Sequence, residues 1–390
     1  MKIDFSKLFS YTKNSDYITV KFLGIKLCVK NKQKVLDAIK IQNSYDLSNI
    51  KNTKKMIVFF IPPNNDINGG IMSIFSICKY SREICPDAQC VITTFPSKVT
   101  YAHNTFFKND EKIYRWEQIV NNAKNVKDLI IHIPEYFSDK FSTALTNKDF
   151  KFLKQIENVQ INILNQNIEL MPKPENIKGL YKITNNVTQT IAHDRYATQE
   201  VCDKWQIPTH FLSVHIDTSG YRSYAFEEKQ KIIVLSPDEA PYKEAIVKKL
   251  KQELPDFKLI TVENMPFDEY MDLIAKAYFT ISFGEGFDGY FLIPPLVGSI
   301  GVAVYNEKFF PNEHWLELEN VFANQESMIL FITKTIDSYS KDKASYENLS
   351  IKAKKWHDNL YSLEDFKHNL KAFYDHKYNY KHGSYGEVNK

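Results

Sequence analysis

Short apolar runs alternate with segments of helical periodicity twice along this chain, and that pattern leaves few folds open. Lys55–Ile61, KMIVFFI, is a continuous apolar run of the kind found in a parallel strand covered on both faces. After it come Pro62, Pro63, Asn64, Asn65 and then Asn68-Gly69-Gly70, which open a helical pattern over Ile71–Cys85. Gln89–Thr94, Asp128–Ile133 and Val159–Leu164 read as further strands, with a helical segment at Ser138–Ile156. A second set comes later in the chain. Lys231–Ser236, Phe257–Val262, Phe279–Phe283 and Val302–Tyr305 read as strands, and Tyr242–Leu254 and Phe267–Tyr278 as helices. From Ser327 the pattern is helical to the end, with Trp356, Leu360, Phe366, Leu370 and Phe373 as apolar contacts. This alternation predicts an α/β protein of two Rossmann-like, doubly wound domains with a cleft between them.

The 390 residues suffice for two such domains. Residues 1–190 are expected to form the first and 191–350 the second, with the crossing between Asn185 and Ile216 and the closing helices in 351–390. Tyr17–Lys30, alternating around Gly24, reads as a hairpin ahead of the first domain. It lies in a segment, 1–55, that holds twelve Lys and four Asp, so this segment carries about +8 and the remainder about −5. Such an arm can attract anionic headgroups at a membrane surface or phosphate-rich glycan carriers. It reads equally as a solvated lysine-rich surface, and no nucleic-acid-reading motif accompanies it. Aromatic residues make up 14% of the chain, which suits large cores and also sugar-binding clefts. The five cysteines show no CxxC pair, as expected of reduced thiols in a cytosol. The N-terminus lacks the apolar core of a signal peptide, and no stretch approaches 18 apolar residues. A cytoplasmic protein is expected, working at most at the inner face of the membrane.

Thr280–Asn306, TISFGEGFDGYFLIPPLVGSIGVAVYN, carries the most chemistry. A strand delivers Glu285, flanked by Gly284 and Gly286, to the carboxyl edge of a sheet, where open α/β sheets bind ligands. Glycines let main-chain amides approach phosphate or sugar oxygens, and a helix start adds partial positive charge. Phe287, Asp288 and Tyr290, just after, are placed to select the ligand. A tight strand-to-helix turn whose glycines serve geometry alone explains the same spacing.

This segment resembles the donor-site signature of retaining glycosyltransferases of the GT-B fold, in particular the family 4-like enzymes of bacterial lipopolysaccharide and capsule assembly. The resemblance implies that Glu285 contacts the transferred sugar. It also implies a second Glu eight positions on, holding the nucleotide ribose, but that position is Ile293; Asp288 could replace it, or the nucleotide is held through phosphate and base. LSPDEAPYKEAIVKKL resembles the first strand–helix unit of the donor domain, which puts Lys243 towards the diphosphate; the family's usual upstream Arg has no counterpart. Asn68-Gly69-Gly70 resembles the glycine-rich loop that faces the donor phosphates or the acceptor. TQTIAHDRY resembles the segment before the interdomain crossover and offers His193 as a catalytic group and Arg195 as an acceptor-side contact. His132, in IIHIPEY, is a second acceptor-side candidate or a core residue. LGIKLCVK is similar to a lead-in of the surface-glycan enzymes. The family architecture implies that the last helices cross back over both domains.

The activity that the resemblance implies is transfer of a sugar from a nucleotide-sugar to a hydroxyl of a glycan or lipid-linked acceptor, retaining and without a metal or cofactor. There is no DxD at a strand end, no HExxH and no P-loop. An inverting enzyme would need a base, for which His132 or His193 would serve. Two other readings stay open: a pseudoenzyme that binds a glycan or a partner, with Ile293 as the lesion, and a nucleotide-sugar epimerase.

Overall fold

The computed structural model describes residues 32–263 and 265–382, together with the backbone of 9–13, 17–22 and 25–30. Strands β1 (Phe9–Lys13), β2 (Tyr17–Phe22) and β3 (Ile25–Lys30) form an antiparallel sheet. In it Phe22 pairs with Ile25, so the hairpin expected over Tyr17–Lys30 is present, with its turn at Gly24 outside the described residues. The side chain of Cys28 is also outside them. The other four cysteines are free, buried thiols.

The first large sheet contains β4 (Lys55–Ile61), β5 (Gln89–Thr94), β6 (Ile113–Arg115), β7 (Asp128–Pro134), β8 (Asn158–Asn165), β9 (Val187–Ile191) and β10 (Thr209–Phe211). All pairs are parallel, in the order β10-β9-β8-β7-β4-β5-β6. The apolar run of β4 is explained by its two covered faces. Met56, Val58 and Phe60 point into a cluster with Trp116, Phe141 and Phe152. Ile57, Phe59 and Ile61 point into another with Ile74, Phe75 and Cys78 of the helix Gly69–Ile84. The second sheet contains β11 (Gln230–Leu235), β12 (Lys258–Thr261), β13 (Ala277–Ile281), β14 (Ile300–Val304) and β15 (Val321–Phe322), parallel in the order β12-β11-β13-β14-β15. Ile233 and Leu235 face one apolar cluster and Ile232 and Val234 the other.

Several details differ from the sequence reading. The helix expected over Ser138–Ile156 is two, Ser138–Ala144 and Asn147–Lys154, because Thr146 caps the second in a reciprocal box with Asp149. The first sheet does not end at residue 190: β9 spans that position and β10 lies beyond it, both too short and too polar to stand out by periodicity. Helix Lys343–Leu360 packs on the second sheet through Tyr346, Leu349 and Ala353. Helix Leu363–Tyr374 instead packs on the first, through Phe366 and Leu370. The chain therefore returns to the first domain at its end. No helix among the described residues is long and apolar enough to cross a membrane.

Candidate functional site

Each large sheet reverses its winding once, between β4 and β7 in the first and between β11 and β13 in the second. Ligands of open α/β sheets bind outside the carboxyl ends of the strands at such points. Both reversal points open onto one cleft, and residues from each domain meet there.

On the second domain, Phe283 N donates to Ser236 Oγ at 3.0 Å, tying the chain after β13 to the end of β11. Gly284 and Gly286 have φ of +74° and +76°. A Cβ on Gly286 would stand 2.5 Å from the Val304 carbonyl oxygen, and one on Gly284 3.3 Å from Asp238 Cβ. These two left-handed residues turn the chain so that Glu285 is thrown off the sheet edge. Lys243 begins the next helix and donates to the carbonyls of Pro237 and Asp238, at 2.9 and 2.7 Å. An ammonium has three donors, so one remains without an acceptor among the described residues.

On the first domain, Asn68 caps the helix Gly69–Ile84 by accepting from Ile71 N at 2.9 Å. The N-terminal end of this helix, with its partial positive charge, lies at the cleft. Gly70 is required by a close approach: a Cβ there would lie 2.7 Å from Gln166 Oε1. His193, just past β9, is half-buried, bonds the main chain of Gln166, and is held below the ordinary histidine range by burial. The residue after Gln166, Asn167, donates from Nδ2 to Glu285 Oε1 at 2.9 Å across the cleft. Thus Gln166 and Asn167, just past β8, bring Gly70, His193 and Glu285 together, and Glu285 is flanked by Gly284 and Gly286.

Burial raises the Glu285 carboxyl above the usual range, while the Asn167 amide opposes the rise; Glu169 and Asp238 add to it and Lys308 lowers it. Lys308 Nζ also pairs with Glu169 at 2.5 Å, joining the domains. Arg195 sits on the rim and bonds the main chain and side chain of Glu307, a third bridge.

Four candidates fall elsewhere. His132 is fully buried inside the first sheet, stacked on Phe59 with ring centroids 4.6 Å apart. Asn162 Nδ2 lies 3.1 Å from its Nδ1 and Tyr374 Oη 3.3 Å from its Nε2. Burial lowers its pKa to about 3. It sits inside the strand, on the face covered by the last helix, so it is a core histidine and reaches no acceptor. Phe287 is buried against Phe310 and Trp315, at 4.8 and 4.9 Å. Asp288 caps the helix Gly289–Leu292, accepting from Tyr290 N at 2.8 Å, Phe291 N at 3.3 Å and Ser282 Oγ at 2.7 Å. Those bonds occupy it, so it does not replace the second Glu. Tyr290 packs edge-on against Tyr270 at 5.4 Å. Ile293 belongs to the apolar cluster on which Ile67, Met72 and Phe107 of the first domain pack.

Sequence reading missed Glu135, Asn165, Gln166, Asn167 and Lys308. The first four lie at or just past the ends of β7 and β8, in HIPEY and ILNQN, where polar residues succeed an apolar run at a carboxyl edge. Glu135 Oε2, Asn165 Oδ1 and Gln166 Nε2 are buried with no hydrogen-bond partner among the described residues. No group of three or more His, Cys, Asp or Glu among the described residues could hold a metal ion.

No protein-family model matches the sequence, and no curated protein matches it. Solved structures do resemble the fold. An alpha-glucosyltransferase in complex with UDP and a DNA 13-mer aligns over 82% of this chain and 98% of its own, with a TM-score of 0.56 and 10% identity. HepE of Anabaena, in complex with UDP and glucose, aligns over 83% and 100%, at 0.53 and 11%. Sucrose-phosphate synthase of Thermosynechococcus elongatus aligns over 83% and 99%, at 0.50 and 10%. The fold of this chain is therefore that of the GT-B glycosyltransferases, two Rossmann-like domains facing each other across a cleft.

Proposed function

We propose that the protein is a glycosyltransferase that moves a sugar from a nucleotide-sugar, held at the Gly284–Gly286 edge of the second domain, to an acceptor hydroxyl brought by the first. The observation that carries this reading is the meeting of two sheet reversal points at Glu285, with Lys243 on one wall and a helix N-terminus on the other. The diphosphate leaves the anomeric carbon as an oxocarbenium-like centre forms. The free donor of Lys243, the amides of the Gly284–Gly286 turn and the helix start at Gly69 favour the negative leaving group. Glu285 accepts hydroxyls of the sugar and orients the ring. Glu135, Asn165 and Gln166 carry buried polar atoms without partners among the described residues, which suits hydroxyls of an acceptor. His193 borders the same space and would serve as a base if the reaction inverts. Retention and independence of metals follow from the resemblance in the Glu285 segment. The acceptor, a bacterial surface glycan or its lipid-linked precursor made at the inner face of the membrane, rests instead on the resemblance of LGIKLCVK to the lead-in of surface-glycan enzymes, and the basic segment before Lys55 suits approach to that membrane.

Structures of similar fold hold UDP and glucose, so UDP is the first nucleotide to test. Thermal melts with UDP, GDP, CMP and dTDP examine the donor site. A nucleotide at about 100 times its dissociation constant adds roughly 2.7 kcal/mol, and Glu285→Ala and Lys243→Ala separate sugar from phosphate contacts. Release of the nucleoside diphosphate with acceptor then establishes transfer. A second reading, a glycan- or partner-binding pseudoenzyme, is favoured by the apolar contact at Ile293. The absence of any nucleotide shift at millimolar concentration would select it.

A further inference from the structure

Residues 167–169 make three consecutive contacts from the first domain to the second. Asn167 Nδ2 donates to Glu285 Oε1 at 2.9 Å. Ile168 packs on the apolar cluster that contains Phe287 and Phe310. Glu169 pairs with Lys308 at 2.5 Å. The orientation of the Asn167 amide is not free. Its Oδ1 accepts from Glu169 N at 2.8 Å, a bond that only an oxygen can make, so Nδ2 must face Glu285. Its main-chain N donates to Glu135 Oε1 at 3.1 Å. Glu135 is 4% exposed and sits directly after β7. Asn167 is thus held through its side-chain oxygen by the Glu169 amide and through its main chain by Glu135 at the sheet edge.

We propose that Asn167 is a positioning residue for Glu285: it holds Oε1 from the opposite domain and leaves Oε2 for a hydroxyl of the transferred sugar, with Glu135 fixing Asn167 in turn. This rests on the glycosyltransferase reading of the same cleft. It makes the donor-site carboxylate competent only when the two domains are together, and it couples sugar recognition in one domain to the loop after β8 in the other. Burial does most to raise the Glu285 pKa; the Asn167 amide lowers it, Glu169 and Asp238 raise it, and Lys308 lowers it.

The test uses the full chain with UDP-glucose as probe, following UDP release and, separately, UDP affinity. Asn167→Ala should lower kcat/KM by about 10- to 100-fold, the loss of a hydrogen bond to a charged group, with UDP affinity unchanged. Asn167→Asp sets a second carboxylate against Glu285 and raises its pKa, so the acidic limb of the pH profile moves to higher pH. A role in folding alone would not move that limb. Glu135→Gln keeps an oxygen to accept from Asn167 N and should retain more activity than Glu135→Ala. Unchanged turnover in Asn167→Ala, or an unmoved limb in Asn167→Asp, overturns the proposal. If the wild type binds UDP but turns over no UDP-glucose, NMR titration of the Glu285 carboxyl decides. A rise in its pKa in Asn167→Asp supports the positioning contact, and no change overturns it. If the wild type binds none of UDP, GDP, CMP and dTDP, the transferase reading itself falls, and the same titration still decides the contact.

Discussion

Gly286→Ala separates a glycine that shapes the site from one that only lies beside it. Gly286 has φ +76°, and its added Cβ would sit 2.5 Å from the Val304 carbonyl oxygen and 3.4 Å from the Phe310 ring. The left-handed backbone alone costs an alanine about 1–2 kcal/mol. The contact with Val304 adds strain, because that carbonyl is main chain at the end of β14 and cannot swing away as a side chain does. Overpacking of this kind costs about 1–3 kcal/mol, so the sum is about 2–5 kcal/mol. The control is Gly69→Ala in the same cleft. Nothing lies within 4 Å of a Cβ there, the position is helical, and φ is not positive. Alanine at that position should be neutral or stabilise by up to roughly 1 kcal/mol. Urea titrations of both variants against the wild type give the two differences directly, and equal slopes confirm that the folded states are comparably compact. Nucleotide affinity adds a second axis: Gly286→Ala should weaken it by displacing the main-chain amides of the Gly284–Gly286 turn, and Gly69→Ala should not. If Gly286→Ala lies within about 0.5 kcal/mol of the wild type, on the scale of ordinary surface substitutions, the reasoning about this turn is wrong.

Asp288 offers a pH test. Its pKa is raised from 3.8 to about 7, first by burial and then by the charges of Asp238 and Glu285, against the bonds from Ser282 and Tyr290. The folded state therefore holds the proton more tightly than the unfolded one between about pH 4 and 7, and stability falls as pH rises through that window. Asp288→Asn removes the titration and keeps a capping oxygen. It should gain up to about 4 kcal/mol over wild type at pH 8 and little at pH 4, and equal urea-midpoint gaps at the two pH values would refute this. Phe366 is fully buried in the cluster with Ile57 and Phe59, so Phe366→Ala should cost about 3–5 kcal/mol. A loss under about 1 kcal/mol would mean that the last helix is not docked on the first domain. His132→Ala should lower the melting temperature and leave nucleotide affinity as in the wild type; a selective loss of affinity would return His132 to the site.

Much of the architecture was legible because its cause is local. The runs KMIVFFI and KIIVLS are apolar at every register position that must be covered on two faces, and that alone places them at the sheet centres. Gly284 and Gly286 stood out because a strand followed by glycines is rare outside such turns, and both do have positive φ. The short edge strands were not legible. Val187–Ile191 is VTQTI, whose polar side chains are satisfied by cross-strand partners such as Gln160, Asn162 and Thr209. No periodicity in the strand itself reports those partners. His132 failed for a related reason, since one step along a strand separates an exposed end from a buried core, and sequence cannot fix that step. Phe287 and Asp288 failed because residues next to a functional turn also have to build it.

By itself, the sequence determined two parallel α/β domains, the turn that offers Glu285 and the helical end of the chain, because strand burial, glycine conformation and helical period are properties of neighbouring residues. Only the tertiary structure decided what Glu285 meets. Asn167 reaches it from 118 positions away, Lys308 answers Glu169, and Ile293 faces an apolar interface. These pairings depend on how two independent sheet edges are brought together, and that information is carried by the packing of the whole chain.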